Sequence, residues 1–182
     1  MERHIGEAAR SANAMEDIVD TIRQGNQQVM RAYLTVTVGA GIYQERRGQG
    51  QADLKFEARP NLINTGATPA RKVRVKIKAD ILPVPIPKNH DFSLPENELN
   101  TGDDNVGAHQ TYIMCATVDD FVPDENVQNI KEGIGKGLYV WGTVKYDDIF
   151  GSHHDLKFGQ LITWQRDNSL FVNYISGQND SD

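Results

Sequence analysis

A chain of 182 residues is long enough for one domain with a real core plus one appended element. Its hydrophobic fraction of 38% and charged fraction of 24% exclude a disordered chain, and the single cysteine, Cys115, excludes an internal disulfide scaffold. The formal net charge of −6 argues against a dedicated nucleic-acid binder; no stretch approaches the roughly 18 apolar residues of a membrane span, and MERHIGEAARSANAMEDIV lacks the apolar core of a signal peptide.

The first element is a helix over residues 1–32, a segment without proline and with few β-branched residues. Its apolar positions recur at spacings of three and four: Ile5, Ala12, Val19 and Asn26 fall at a positions, and Ala8, Met15, Ile22 and Val29 at d positions, of about four heptads. An Asn at a fixes register at a cost in stability, while the alanines and the glycines Gly6 and Gly25 weaken the seam. Two expectations follow: self-association through this seam into a homo-oligomer, or an amphipathic helix lying on the body.

From Tyr33 the period becomes two. Leu34, Val36 and Val38 alternate with Tyr33, Thr35 and Thr37, and a Gly/Arg-rich turn, GAGIYQERRGQGQ, is expected next. In DLKFEARPNLIN, Leu54, Phe56, Ala58 and Leu62 share one face; in KVRVKIKADIL, Val73, Val75, Ile77, Ala79 and Ile81 do. Further strands are expected at QTYIMCATV, where Cys115 reads as a small buried residue, and at LYVWGTVKY, HDLKFGQLITW and SLFVNYI. The connection at 83–108, extended by prolines, is expected to be functional or mobile, and a short helix is expected after Pro123. The fold class is therefore mainly β: an antiparallel immunoglobulin-like β-sandwich of about seven strands over 33–176, with a closed barrel as the alternative, and 177–182 as a disordered tail.

Charge is segregated along the chain. Residues 31–90 hold 11 basic and 4 acidic side chains, and residues 91–132 hold 1 basic and 10 acidic. The sharpest concentration is Lys72, Arg74, Lys76 and Lys78, four cations on one strand face about 6.6–6.8 Å apart. Such a row can hold an anionic group, with the acidic segment as a possible counterpart; it also suits a solvated outer face that resists edge-to-edge aggregation.

YDDIFGSHHDLKFG, residues 146–159, concentrates carboxylates and histidines between two strands of matching length, which makes it a hairpin connection. Turn preferences alone account for Asp147, Asp148, Gly151 and Ser152, and Phe150 is expected to fold back over the sandwich edge. His153 and His154 point to opposite faces, so only one of them readily joins Asp148 or Asp155, which disfavours a three- or four-ligand metal site. A convex hairpin tip also disfavours acid/base catalysis. The sequence has no nucleophile elbow, phosphate-cradling loop or HExxH pattern.

Three stretches, RAYLTVTV, PNLINTGATPARKVRVKIKADI and LYVWGTVKYDDIFGSHHDLKFG, resemble a group of uncharacterised bacterial proteins with a short C-terminal β domain. The matching positions are Arg31, Ala32 and Tyr33; Asn64, Gly66, Thr68, Pro69 and Ala70; and Tyr146, Asp148, Phe150, Gly151 and His154. Relatives typically carry one or two N-terminal transmembrane helices, which this sequence lacks. The resemblance implies a membrane-proximal module facing the cytoplasm and brings no known activity.

The leading functional expectation is a non-enzymatic recognition module in the cytoplasm, without cofactor, oligomerised or membrane-linked through its helix. Its recognition surface would use Lys72, Arg74, Lys76, Lys78, Trp141, Asp148 and His154 toward a protein or anionic small molecule. Alternatives are a sensor for a small anionic ligand such as a nucleotide, held by Arg74, Lys76 and Trp141, and a metal-assisted hydrolase at Asp148, His153, His154 and Asp155.

Overall fold

The computed structural model describes residues 2–48, 50, 53–94, 96 and 104–181; of 2–11 and 40–45 only the backbone is described. A helix, α1 (Glu2–Met30), precedes β1 (Leu34–Arg46), β2 (Leu54–Asn64), β3 (Arg71–Pro83), β4 (Thr111–Ile113) and β5 (Ala116–Thr117). After α2 (Asp124–Glu132) come β6 (Lys136–Asp147), β7 (His153–Trp164), β8 (Leu170–Tyr174) and β9 (Asp180–Ser181). The strands form two antiparallel sheets, β1-β2-β4 with β5 also on β2, and β3-β6-β7-β8 with β9 also on β7.

The alternating apolar residues explain why the sheets pack together. Val36, Phe56, Ala58 and Leu62 from the first sheet and Val73, Val75, Ile77, Val140, Val144, Phe158 and Ile162 from the second are buried in one shared core. Burying each large aliphatic or aromatic side chain contributes about 1.5–3 kcal/mol, the main term opposing chain entropy. Gln160, fully buried, donates its side-chain amide to the carbonyl of Val36 at 3.4 Å and so ties β7 to β1 across the core.

Three boundaries differ from the sequence reading. β1 does not stop at the glycines: it continues to Arg46, paired with β2 through a register shift between Thr37 and Gly41. A side chain at Gly39 would overlap the Arg59 carbonyl, so glycine permits the close backbone approach there. QTYIMCATV divides into β4 and β5, flanking the β2 segment that contains Pro60, which has no N–H to give to a ladder. Met114 instead donates its N–H to the Pro60 carbonyl at 3.0 Å.

The third difference is the tail expected to be disordered. It is held to the second sheet through β9, and the Asn179 amide donates to the carbonyls of Ile175, at 2.7 Å, and Gly159, at 3.2 Å. The helix expected after Pro123 is α2, with Asp124 and Glu125 in its first turn, where negative charge favours the helix dipole. Its end is set by Gly133 in the left-handed region at φ 70°, and Ile130 seats it on the core.

The seam of α1 faces solvent. All residues from 12 to 30 are exposed, including Ala12, Met15 (65%), Val19 (46%), Ile22 (57%), Asn26 and Val29 (73%). The alternative of an amphipathic helix lying on the body does not hold for these residues; the side chains of Ile5 and Ala8 lie outside the described set. No described helix is long and apolar enough to cross a membrane.

Candidate functional site

The motif residues converge on one corner, where α1 enters the body. Asn64, fully buried at the end of β2, accepts hydrogen bonds from the backbone N–H of Tyr33 (3.3 Å) and Gly66 (3.0 Å). Its amide donates to the carbonyls of Thr68, at 2.8 Å, and Val106, at 3.1 Å. Thr65 N–H donates to the Tyr33 carbonyl at 2.7 Å. A side chain at Gly66 would strike the backbone of Arg31, Ala32 and Tyr33, so this glycine is required by the close crossing of the two segments.

The third motif closes the same corner. Tyr146 on β6 donates its hydroxyl to the Ala32 carbonyl at 3.4 Å, and its ring stacks on the His154 ring with centroids 5.0 Å apart. Burial pushes the Tyr146 phenol above its ordinary range. His154 and Asp148 are 8% and 4% exposed, with Nε2 to Oδ2 at 3.1 Å. The other Asp148 oxygen accepts from the N–H groups of Phe150 (2.8 Å) and Ser152 (2.9 Å), which shapes the β6–β7 turn. Burial alone would raise the Asp148 carboxyl, but the hydrogen bonds from His154, Ser152 and Phe150 outweigh it and hold the acid below its usual range.

Asp148 and His154, read from the sequence as partner-binding residues, are thus bonded to each other in the fold. Their polar atoms are turned into the fold and engaged with each other, so they brace the hairpin. His153 does point the other way, exposed, and pairs with Asp147, which also meets Lys72 Nζ at 3.3 Å. The Asp147 carboxyl is lowered first by the His153 hydrogen bond. Among the described residues, no group of three or more His, Cys, Asp or Glu could hold a metal ion. Phe150, expected to fold back over the sandwich edge, is 43% exposed.

The basic row lies on the outer face of the second sheet. Lys72 and Arg74 are exposed, and Lys76 and Lys78 half-buried. Arg74 sits directly opposite Lys145 of β6, and Lys76 opposite Thr143, which is itself flanked by Lys157 of β7. Like charges placed opposite one another disfavour the pair. The compensation is partial: Lys145 pairs with Asp155 at 3.7 Å, and Lys157 lies opposite Asp180 of β9. A shallow depression of about 310 Å3 lined by Lys72, Arg74, Lys145, Tyr146, Asp147, His153, His154 and Asp155 marks one end of this face.

Trp141 is not available to a ligand on this face. It is 2% exposed beneath residues 84–94, which fold back as a strap over the outer face. Val84, Ile86, Phe92 and Leu94 pack with Tyr139, Trp141 and Ile175, and the indole N–H donates to the Ser93 carbonyl at 3.2 Å. Phe92 and His90 meet the Trp141 ring edge-on at 5.8 and 5.6 Å. Lys78 Nζ stands 5.7 Å from the ring centroid, a cation–π contact. The first half of the 83–108 connection is thus a packed cover; 95 and 97–103 lie outside the described residues.

No family model matches the chain, and no curated protein matches it. Two solved structures are similar to it. Northeast Structural Genomics Consortium target SoR45 shows 15% identity and a TM-score of 0.38, covering 79% of this chain and 88% of that one. A Bordetella pertussis protein provisionally named ApaA shows 15% identity and a TM-score of 0.40, covering 82% of this chain and 98% of that one.

Two groups on the first sheet's side have structural work of their own. Glu57, buried to 9% exposure, accepts from Arg59 and from the Thr117 hydroxyl at 3.1 Å. Cys115 beside it is half-buried, not fully buried as expected, and burial followed by the Glu57 contact raises its thiol above the ordinary range. That shift opposes thiolate formation and hence nucleophilic use.

Proposed function

We propose that this protein is a non-enzymatic recognition module whose β body presents a basic face to an anionic partner and whose N-terminal helix brings several such bodies together. The observation that carries this reading is the solvent-facing stripe of Met15, Ile18, Val19, Ile22, Val29 and Met30 on a helix of 29 residues. That stripe lies on the a/d seam and its flanks, and exposed apolar surface of this kind is the signature of an interaction site. The body's own chemistry agrees: its buried carboxylate–histidine pair is consumed in bracing a turn, and Arg74 and Lys76 face outward beside further cations. The strand order β1-β2-β4 against β3-β6-β7 supports an immunoglobulin-like topology, in which the two sheets follow the A-B-E and C-F-G order.

The test uses the full chain. Val19→Asp with Ile22→Asp should lower the mass in solution while leaving the body folded, and Arg74→Glu with Lys76→Glu should abolish salt-sensitive retention on an immobilised polyanion such as heparin. A wild-type chain that is monomeric at all concentrations sinks the helix half of the reading. Failure of wild type to be retained at low salt sinks the surface half.

A further inference from the structure

Strand β3 is an edge of the second sheet, and its start is treated differently from its middle. Near the start, Val73 donates its N–H outward to the Asp104 carbonyl at 2.9 Å, whereas Val84, just past the end, extends the ladder toward β6 by donating to the Gly135 carbonyl at 3.0 Å. Between them, the direction of each backbone group follows from Lys76. A side chain at Gly142 of β6 would strike the Lys76 carbonyl, so that carbonyl points toward β6. The even-numbered residues of β3 thus bond β6, and Ile77, Ala79 and Ile81 direct their N–H and C=O groups to the free edge.

Among the described residues, no hydrogen bond reaches the edge groups of Ile77 and Ala79, although β5 passes close to β3. The Ile81 N–H is satisfied by the carboxylate of its neighbour Asp80 at 2.7 Å, a local cap in place of a strand. Beside this end of the edge is an open recess of about 570 Å3 lined by Asp80, Ile81, Val118, Phe121 and Ile130 among others. An unpaired run of backbone donors and acceptors is a template for another strand.

The sequence of the open run is complementary to itself. A twofold axis through Ala79 places Ile77 opposite Ile81 of a second copy and Lys78 opposite its Asp80, so that the charge pair and the apolar pair are each formed twice. We propose that β3 pairs antiparallel with β3 of a second copy about Ala79, joining the two second sheets into one continuous sheet. Asp80 then leaves the Ile81 amide, which takes the Ile77 carbonyl of the second copy, and turns to that copy's Lys78. Lys78 moves from the Trp141 ring toward the edge. The two basic faces become neighbours on one surface, which extends the recognition reading above, although the pairing stands on the edge geometry alone.

The experiment is done in the full chain carrying Val19→Asp and Ile22→Asp, so that association through α1 is absent. Sedimentation should show a dimer, and amide exchange at Ile77 and Ala79 should slow as concentration rises. Lys78→Asp, which replaces two attractive pairs with two repulsive ones, should weaken this dimer about tenfold, and Lys78→Asp with Asp80→Lys should restore it. A monomer at every concentration, fast exchange at both amides throughout, or a charge swap that restores nothing overturns the pairing. Should Lys78→Asp fail to fold, the concentration dependence of exchange in the parent chain decides. Retention on heparin reports separately on the basic face.

Discussion

His154 Nε2 and Asp148 Oδ2 lie 3.1 Å apart, both buried, on opposite sides of the turn that joins β6 to β7. Asp148 also receives two backbone N–H groups of that turn, so one side chain satisfies three donors. Asp148→Ala should therefore cost about 2–4 kcal/mol, because the donors lose their acceptor without gaining water. Urea unfolding near neutral pH measures it. Asp148→Asn keeps one acceptor oxygen and should cost less. A change under about 0.5 kcal/mol for Asp148→Ala would show that the pair does not brace the hairpin.

The same carboxylate sets part of the acid response. The folded-state pKa values of Asp147 and Asp148 lie below the ordinary Asp value, so the unfolded chain takes up these protons first as pH falls. Their stabilisation is complete above about pH 3.9, the unfolded value, and is lost as pH drops through the lowered folded values. Denaturant midpoints measured from neutral pH down through pH 4 and below should fall in wild type. In Asp148→Asn the decline should be shallower; equal slopes would remove Asp148 from the acid response.

Gly66 is the point where the chain leaving α1 presses on the turn after β2. Gly66→Ala puts a methyl against the backbone of Arg31, Ala32 and Tyr33, none of which is a flexible side-chain end. We expect a loss of about 1–3 kcal/mol, as for other overpacked sites, read as a lower urea midpoint. A neutral substitution would mean that the corner shifts freely.

Phe92 holds the strap over Trp141 through an edge-on ring contact at 5.8 Å. Phe92→Ala should open this cover while leaving the main core closed, since the two clusters lie on opposite faces of the second sheet. The expected readout is a red-shifted tryptophan emission with stronger quenching by acrylamide, and a stability loss of about 1–3 kcal/mol for a partly buried ring. Unchanged emission would place the strap's hold elsewhere.

What could be read from the chain alone was whatever depends on periodicity. Alternation in KVRVKIKADIL sorts Val73, Val75, Ile77 and Ala79 inward and the cations outward, because successive side chains of a strand must take opposite faces. The same rule separated His153 from His154 and argued against a shared metal site. The spacing that starts at Ile5 set out a helix with an apolar seam, and the turn chemistry of Asp148 and Gly151 located a hairpin.

Contacts between segments distant in sequence were decided only by tertiary structure. Trp141 looks like an outward-facing aromatic until residues 84–94 cover it, and nothing local to LYVWGTVKY encodes that cover. Asn64 becomes a hub only when Tyr33 and Val106, 31 and 42 positions away, arrive at its amide. The free edge of β3 likewise depends on which strands pair with it and which do not. Periodicity assigns a residue to a face, whereas burial, backbone satisfaction and strand order depend on what packs against that face, which the whole chain settles together.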